Sequence, residues 1–287
     1  MALNNGLDQG KWLVVKTSVA GKLHTESNPQ IPCQDSNFYQ DIGEGWGIAV
    51  VCDGAGSKKY SHRGSRFVAE RAGLYFGEIV KQNSWQLSNT LPTQDQWHEV
   101  SKRAFAKIRT ELEEYARKHG VDSQLLSCTV IVVIHSPVGV LASHIGDGRA
   151  AFCNVENEWK AIIKPHKGEE ANQTVFITSV GWDQPDNYIE STVFQEKPLA
   201  FTLMSDGCES HSFEVNIFDK EEQKYKDPNR PYPKFFQPLV ATLRELYQNQ
   251  AAREEIDAKW RHFIECGNEK LRNELDDKTM ILGALVG

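Results

Sequence analysis

Three apolar segments of this chain stop in the same way. GIAVVCDGAG (residues 47–56), VLASHIGDGR (140–149) and LAFTLMSDGC (199–208) each run apolar and then meet an aspartate followed by glycine. Singly, each is an ordinary turn, because Asp-Gly is a preferred hairpin dipeptide. Three together raise the question of where the strand ends lie. In an antiparallel sheet the C-terminal end of one strand lies beside the N-terminal end of its neighbour. Asp53, Asp147 and Asp206 follow strands, whereas Asp276 and Asp277, in ELDDKTMILGALV, and Asp35, in IPCQDSNF, precede them. If the strands alternate in direction, both groups fall on one rim. Carboxylates crowded in a cleft raise one another's pKa or demand a cation. A ligand set made only of oxygens selects hard ions such as Mg²⁺, Mn²⁺ or Ca²⁺. The glycines then acquire a use, since the carbonyl of Gly54, with no Cβ beside it, can approach an ion closely.

The rest of the chain supplies a scaffold for such a rim. WLVVKTSVA (12–20) and residues 46–52 read as strands, the second following a turn at DIGEG. SHRGSRFVAERAGLYFGEIVKQ places Phe67, Val68, Ala72, Tyr75, Phe76, Ile79 and Val80 at helical spacing, with Ser61 as its cap. A second helix carries Trp97, Val100, Ala104, Ile108, Leu112 and Tyr115 on one stripe and ends at Gly120. CTVIVVI and VGVLASHI flank a hairpin signal at Ser136-Pro137, AAFCNV follows, and LAFTLMS and TMILGALV are two further buried strands. Residues 211–275 read as a helical insertion between two strands. Strands in hairpin succession with helices in separate blocks predict an α+β chain with antiparallel sheets, one domain over 1–287.

Composition excludes other classes. The net charge of −7, without a basic stripe, argues against a nucleic-acid partner. No apolar run approaches the ~18 residues of a membrane helix, and the N-terminus has no apolar signal region, so a cytoplasmic location away from membranes is expected. The six cysteines stand singly without a CxxC pair, which suits reduced thiols and supports neither zinc site nor disulfide framework.

The order QDS, DGAG, GDGR, SDG, DDKT resembles the metal-dependent protein serine/threonine phosphatases of the 2C type, whose forms are N-(E/Q)-D, DGxGG, GDSR, SDG and DNxT; the likeness runs from about residue 12 to 286. It implies a central antiparallel β-sandwich flanked by helices on both faces. It also implies two Mn²⁺ or Mg²⁺ ions bridged by Asp53, with the Gly54 carbonyl completing one shell. Asp206 and Asp276 would hold one ion and Asp35, through water, the other; Asp147 would join a third, weaker site. A water shared by ions roughly 3.5–4 Å apart would attack the phosphorus of phosphoserine or phosphothreonine in a protein substrate, the counterpart of a Ser/Thr kinase. Asp277 is then a supporting hydrogen-bond partner.

Some positions depart from the family. Gln30 replaces a phosphate-gripping arginine, and His24, in GKLHTESN, is the replacement candidate for phosphate contact or proton donation, so that Asp53, Asp35 and His24 carry the catalytic roles. Ser57 replaces the second glycine of DGxGG, and Ser210 stands where a third-site ligand is expected, with Glu209 as a substitute. His62, Arg63 and Arg66 could steer a phosphate at a helix start. Arg149 is expected in a structural salt bridge, and the polar stretch 164–191 is the candidate flap. The alternative from another class is a pseudophosphatase, the same fold used to bind metal or a partner, with the missing arginine as its clue.

Overall fold

The structure, a computed structural model, describes residues 10–166, 174–179 and 188–287. Its strands are β1 (Trp12–Val19), β2 (Ser36–Gly43), β3 (Trp46–Cys52), β4 (Val130–Ser136), β5 (Gly139–Ile145), β6 (Arg149–Asn154), β7 (Trp159–Ala161), β8 (Glu190–Phe194) and β9 (Pro198–Met204), then short β10 (Phe213–Glu214), β11 (Ile217–Asp219), β12 (Lys224–Lys226) and β13 (Arg230–Pro231), and finally β14 (Lys278–Leu285). The helices are α1 (Lys22–Thr25), α2 (Ser61–Gln82), α3 (Trp85–Ser88), α4 (Gln94–Lys118), α5 (Glu209–Ser212), α6 (Pro233–Gln248), α7 (Arg253–Cys266) and α8 (Glu269–Asn273).

Two five-stranded antiparallel sheets form the centre, in the orders β1-β14-β9-β6-β7 and β2-β3-β4-β5-β8. The inner strands β3, β4, β9 and β14 are buried on both alternating faces because both faces are covered. In β3, Ala49 and Val51 meet Ile131, Phe152, Phe201 and Ile281 between the sheets, whereas Ile48, Val50 and Cys52 pack beneath Val68, Phe76, Phe105 and Ile108 of α2 and α4. In β14, Ile281 faces the inter-sheet layer and Met280, Leu282 and Ala284 pack under Phe236, Val240, Trp260 and Ile264 of α6 and α7. The result is the α+β arrangement expected, helices on each outer face of an antiparallel sandwich.

Local differences have physical reasons. Ser61 does not cap α2: Tyr60 precedes the helix without a side-chain cap, and the Ser61 hydroxyl donates to the Lys58 carbonyl at 3.0 Å. A capping box stands instead on α4, where Thr93 and Gln96, a T-x-x-Q pair at the end of a polar loop, bond reciprocally with each other's backbone. Residues 211–275 begin with two small two-stranded sheets, β10 with β13 and β11 with β12, before the helices start. Strands of two or three residues leave no period to read. The candidate flap, 164–191, falls largely outside the described residues.

Candidate metal centre

Register places the aspartates. Ser36 lies opposite Cys52 in the β2–β3 ladder, so Asp35 and Asp53 are adjacent at one end of that sheet. In the other sheet Met204 lies opposite Met280, and the Ser205 amide donates to the Thr279 carbonyl at 3.0 Å, which sets Asp206 beside Asp276 and Asp277. Arg149 also lies opposite Met204, bringing the β5–β6 turn, with Asp147, to the same edge. The Ser205 hydroxyl donates to Asp35 Oδ2 at 2.7 Å and the Gln34 amide donates to Asp277 Oδ2 at 2.5 Å, joining the two sheet ends into one rim.

The glycines after the aspartates make that meeting sterically feasible. A Cβ on Gly54 would fall 2.3 Å from the Gln34 carbonyl oxygen, one on Gly148 2.6 Å from that of Met204, and one on Gly207 2.0 Å from that of Asp277. Each touches the backbone segment that leads to or carries another rim aspartate. The recurrence of Asp-Gly is thus a close-approach requirement among three turns, a broader reason than an ion near the Gly54 carbonyl alone.

Among the described residues, no cation figures among the partners that shape the titration of Asp35, Asp53 and Asp206, and only His24 opposes the repulsion at Asp276. Asp53 is pushed well up, first by burial and then by Asp35, Asp206, Asp276 and Asp147. Asp35 rises to about 8, through burial and Asp277, against hydrogen bonds from Ser205 and Thr279. Asp206 rises to about 7, through burial, Asp147 and Asp276. Asp276 is at the exposed mouth, yet its carboxyl is still raised, by the protein atoms around it and then by Asp277. One Asp206 oxygen, Oδ1, is buried without a hydrogen-bond partner among the described residues. Mutually repelling, all-oxygen donors that range from buried Asp35 to the exposed Asp276, with an orphaned lone pair among them, fit hard divalent cations.

Asp277 belongs to the frame around the carboxylate cluster. Its Oδ1 accepts from the Gly21 amide at 2.8 Å and lies 2.8 Å from His24 Nδ1, while Oδ2 takes the Gln34 amide. His24 is buried, in α1. Ser205 and Thr279 were quoted in their motifs without a role; they extend the frame, Thr279 N donating to Ser205 Oγ at 3.0 Å and Thr279 Oγ1 to Ser18 Oγ at 2.7 Å.

The remaining candidates divide. Asp147 accepts from Thr174 Oγ1 and contributes to the repulsion on Asp53 and Asp206. Glu209 is held elsewhere: Arg149, fully buried, donates Nε to it at 2.8 Å and contacts Asp227 and Asn229 with its other nitrogens. Gln30 is exposed and donates to the Thr25 carbonyl, and Arg63 and Arg66 are exposed on the first turns of α2. Burial, followed by the charges of Arg63 and Arg66, lowers the His62 pKa.

Comparison with known proteins agrees with this geometry. A profile of the family described as Protein phosphatase 2C matches residues 20–259. Serine/threonine-protein phosphatase 3 of Escherichia coli (strain K12) is 27% identical over 280 residues, spanning 94% of this chain and 97% of the relative. Among solved structures, a serine/threonine phosphatase from Staphylococcus aureus superposes with a TM-score of 0.55 at 16% identity, covering 97% of this chain and 96% of that one. The S. agalactiae serine/threonine phosphatase gives 0.54 at 13% identity, with 96% and 100% covered. With its sandwich, its five motifs in order and this match across most of its length, the chain belongs to the protein phosphatase 2C family.

Proposed function

We propose that this chain is a protein serine/threonine phosphatase that hydrolyses phosphoserine and phosphothreonine esters using Mn²⁺ or Mg²⁺, and that its substrates are proteins phosphorylated by a Ser/Thr kinase in the cytoplasm. The observation that carries the reading is the convergence of Asp35, Asp53, Asp206 and Asp276 on one rim, where among the described residues no cation figures in the titration of the first three and only His24 opposes the repulsion at Asp276. Bound divalent ions would supply charge neutralisation for the phosphoryl oxygens and would acidify water for attack on phosphorus. Asp53 would be the shared ligand, with Gly54 contributing its carbonyl, Asp206 and Asp276 on one side, Asp35 on the other and Asp147 at a weaker outer position.

The chain's own residues do the rest. Asp277, taking the Gly21 and Gln34 amides, fixes the two backbone segments that lead to His24 and Asp35. Ser205 holds the Asp35 carboxylate against rotation and is itself fixed by the Thr279 amide. His24 Nδ1 is engaged by Asp277, the arrangement in which Nε2 is the nitrogen that exchanges a proton with a leaving group. With every expected rim carboxylate in place, the missing arginine alone does not favour the pseudophosphatase alternative.

The test is phosphate release from a phosphothreonine peptide by chelator-treated protein. Activity should return with Mn²⁺ or Mg²⁺ and vanish in Asp53→Asn with the circular dichroism spectrum unchanged. Turnover that ignores both the chelator and the substitution would refute the proposal.

A further inference from the structure

Away from the rim, at the outer edge of the β2-β3-β4-β5-β8 sheet, a second group of ligand-type side chains has gathered. His144 on β5 is paired directly with Glu190 on β8, and His166, from the segment after β7, lies over them. One potential ligand atom from each residue lies within 4.8 Å of the others. His144 is fully buried, whereas the side chains of His166 and Glu190 are 17% and 40% exposed, so the group opens to solvent on one side.

The hydrogen bonds decide the tautomer of His144. Its Nε2 lies 2.8 Å from the Lys164 carbonyl, which can only accept, so the ring proton is on Nε2 and Nδ1 carries a lone pair. Among the described residues that buried Nδ1 has no partner, nor has the buried Nδ1 of His166, whose Nε2 lies 3.0 Å from Glu190 Oε1. A buried imidazole lone pair without a donor is destabilising unless something electrophilic meets it. A backbone carbonyl gripping the opposite nitrogen is also the usual support of a metal-ligating histidine. The groups hold suitable charge states: burial lowers the His144 pKa to about 4, keeping the ring neutral, and the His166 hydrogen bond keeps Glu190 below its ordinary value.

We infer that His144, His166 and Glu190 form a transition-metal site of the Zn²⁺ class, distinct from the acidic rim, with water in the remaining position. Two imidazoles and one carboxylate suit zinc and disfavour Mg²⁺, which demands oxygen. Ligands 2.0–2.2 Å from a tetrahedral ion stand roughly 3.3–3.6 Å apart, so closure by about 1 Å from the present spacing completes the site. His166, the more exposed of the two imidazoles, is the ligand that moves. Such an ion would tie β5 and β8 to the segment carrying His166. That segment already touches the rim, because the His166 amide donates to the Gly146 carbonyl at 2.9 Å, one residue before Asp147.

The experiment titrates chelator-treated protein with Co²⁺ and then Zn²⁺ in excess Mg²⁺, which occupies the acidic rim. The expected result is one tight equivalent of Co²⁺ with the intense visible bands of a tetrahedral centre, displaced by Zn²⁺. Binding should persist in Asp53→Asn, and its affinity should fall about tenfold or more in His166→Ala. Glu190→Gln, nearly isosteric and on an exposed side chain, reads the same loss should His166→Ala fail to fold. Absence of the Co²⁺ bands in Mg²⁺-loaded protein, or binding removed by Asp53→Asn and untouched by both His166→Ala and Glu190→Gln, would overturn the site.

Discussion

Two charge clusters lie close together in this molecule and are built on opposite principles. Around Arg149, a fully buried guanidinium meets Glu209, Asp227 and Asn229, so each charge has a partner. Three residues before Glu209 stands Asp206, one of several rim carboxylates that face one another, with an oxygen left unpartnered. The chain therefore has the means to neutralise acids internally and uses a guanidinium beside the rim, whereas on the rim only His24 lies against Asp277 and Asp276. A protein that leaves carboxylates repelling at the mouth of a sandwich while pairing their neighbours reserves them for a cation from solution.

Substitution should separate the clusters. The largest effect is expected at Asp53→Asn: turnover of a phosphothreonine peptide falls about 10³-fold or more, while the thermal midpoint of chelated protein does not drop, because a repelled charge has been removed. Arg149→Met should do the reverse. It strands Glu209 and Asp227 and lowers stability by about 3–5 kcal/mol, read by urea denaturation.

The pH dependence sharpens the contrast further. Asp35 and Asp206 titrate near 8 and 7 in the folded, metal-free chain against an ordinary value of 3.8. Between those limits the folded state holds more protons than the unfolded one, so stability must decrease as pH rises from about 4 to 8. Thermal melts of chelated protein across that window check the sign, and added Mn²⁺ should oppose the slope because ions bind the deprotonated carboxylates. Asp277→Asn should weaken Mn²⁺ affinity by about 10–100-fold by loosening the frame that holds His24, Gly21 and Gln34. The smallest effect belongs far from both clusters: Thr93→Ala removes the α4 cap, lowering stability by about 1 kcal/mol with the Mn²⁺ requirement unchanged.

How far the sequence carries depends on how local each signal is. Strand, aspartate and glycine are contiguous in DGAG, GDGR and SDGC, so the rim was legible once antiparallel pairing was assumed. The length of β2 was less legible, since SNFYQDIG is polar and only partly buried against β3. His24 could not be placed from its neighbours, because its burial depends on Asp277, at the far end of the chain. The His144, His166 and Glu190 group escaped for the same reason: it exists only through the β5–β8 ladder and a segment that folds back over it. The Arg149 cluster was half visible. A salt bridge was expected, but Glu209 was reserved for a metal, and Asp227 and Asn229 come from a loop with no periodic signal.

The most direct measurement is Mn²⁺ binding to chelator-treated protein, followed by loss of the free-ion electron paramagnetic resonance signal, in wild type, Asp53→Asn and Asp206→Asn. The account predicts tight uptake by the wild type at a two-ion stoichiometry, with Asp53→Asn abolishing it and Asp206→Asn removing part of it. Undiminished uptake in Asp53→Asn, or no uptake by a wild type that still releases phosphate from the peptide, would contradict the claim that the rim is a cation centre.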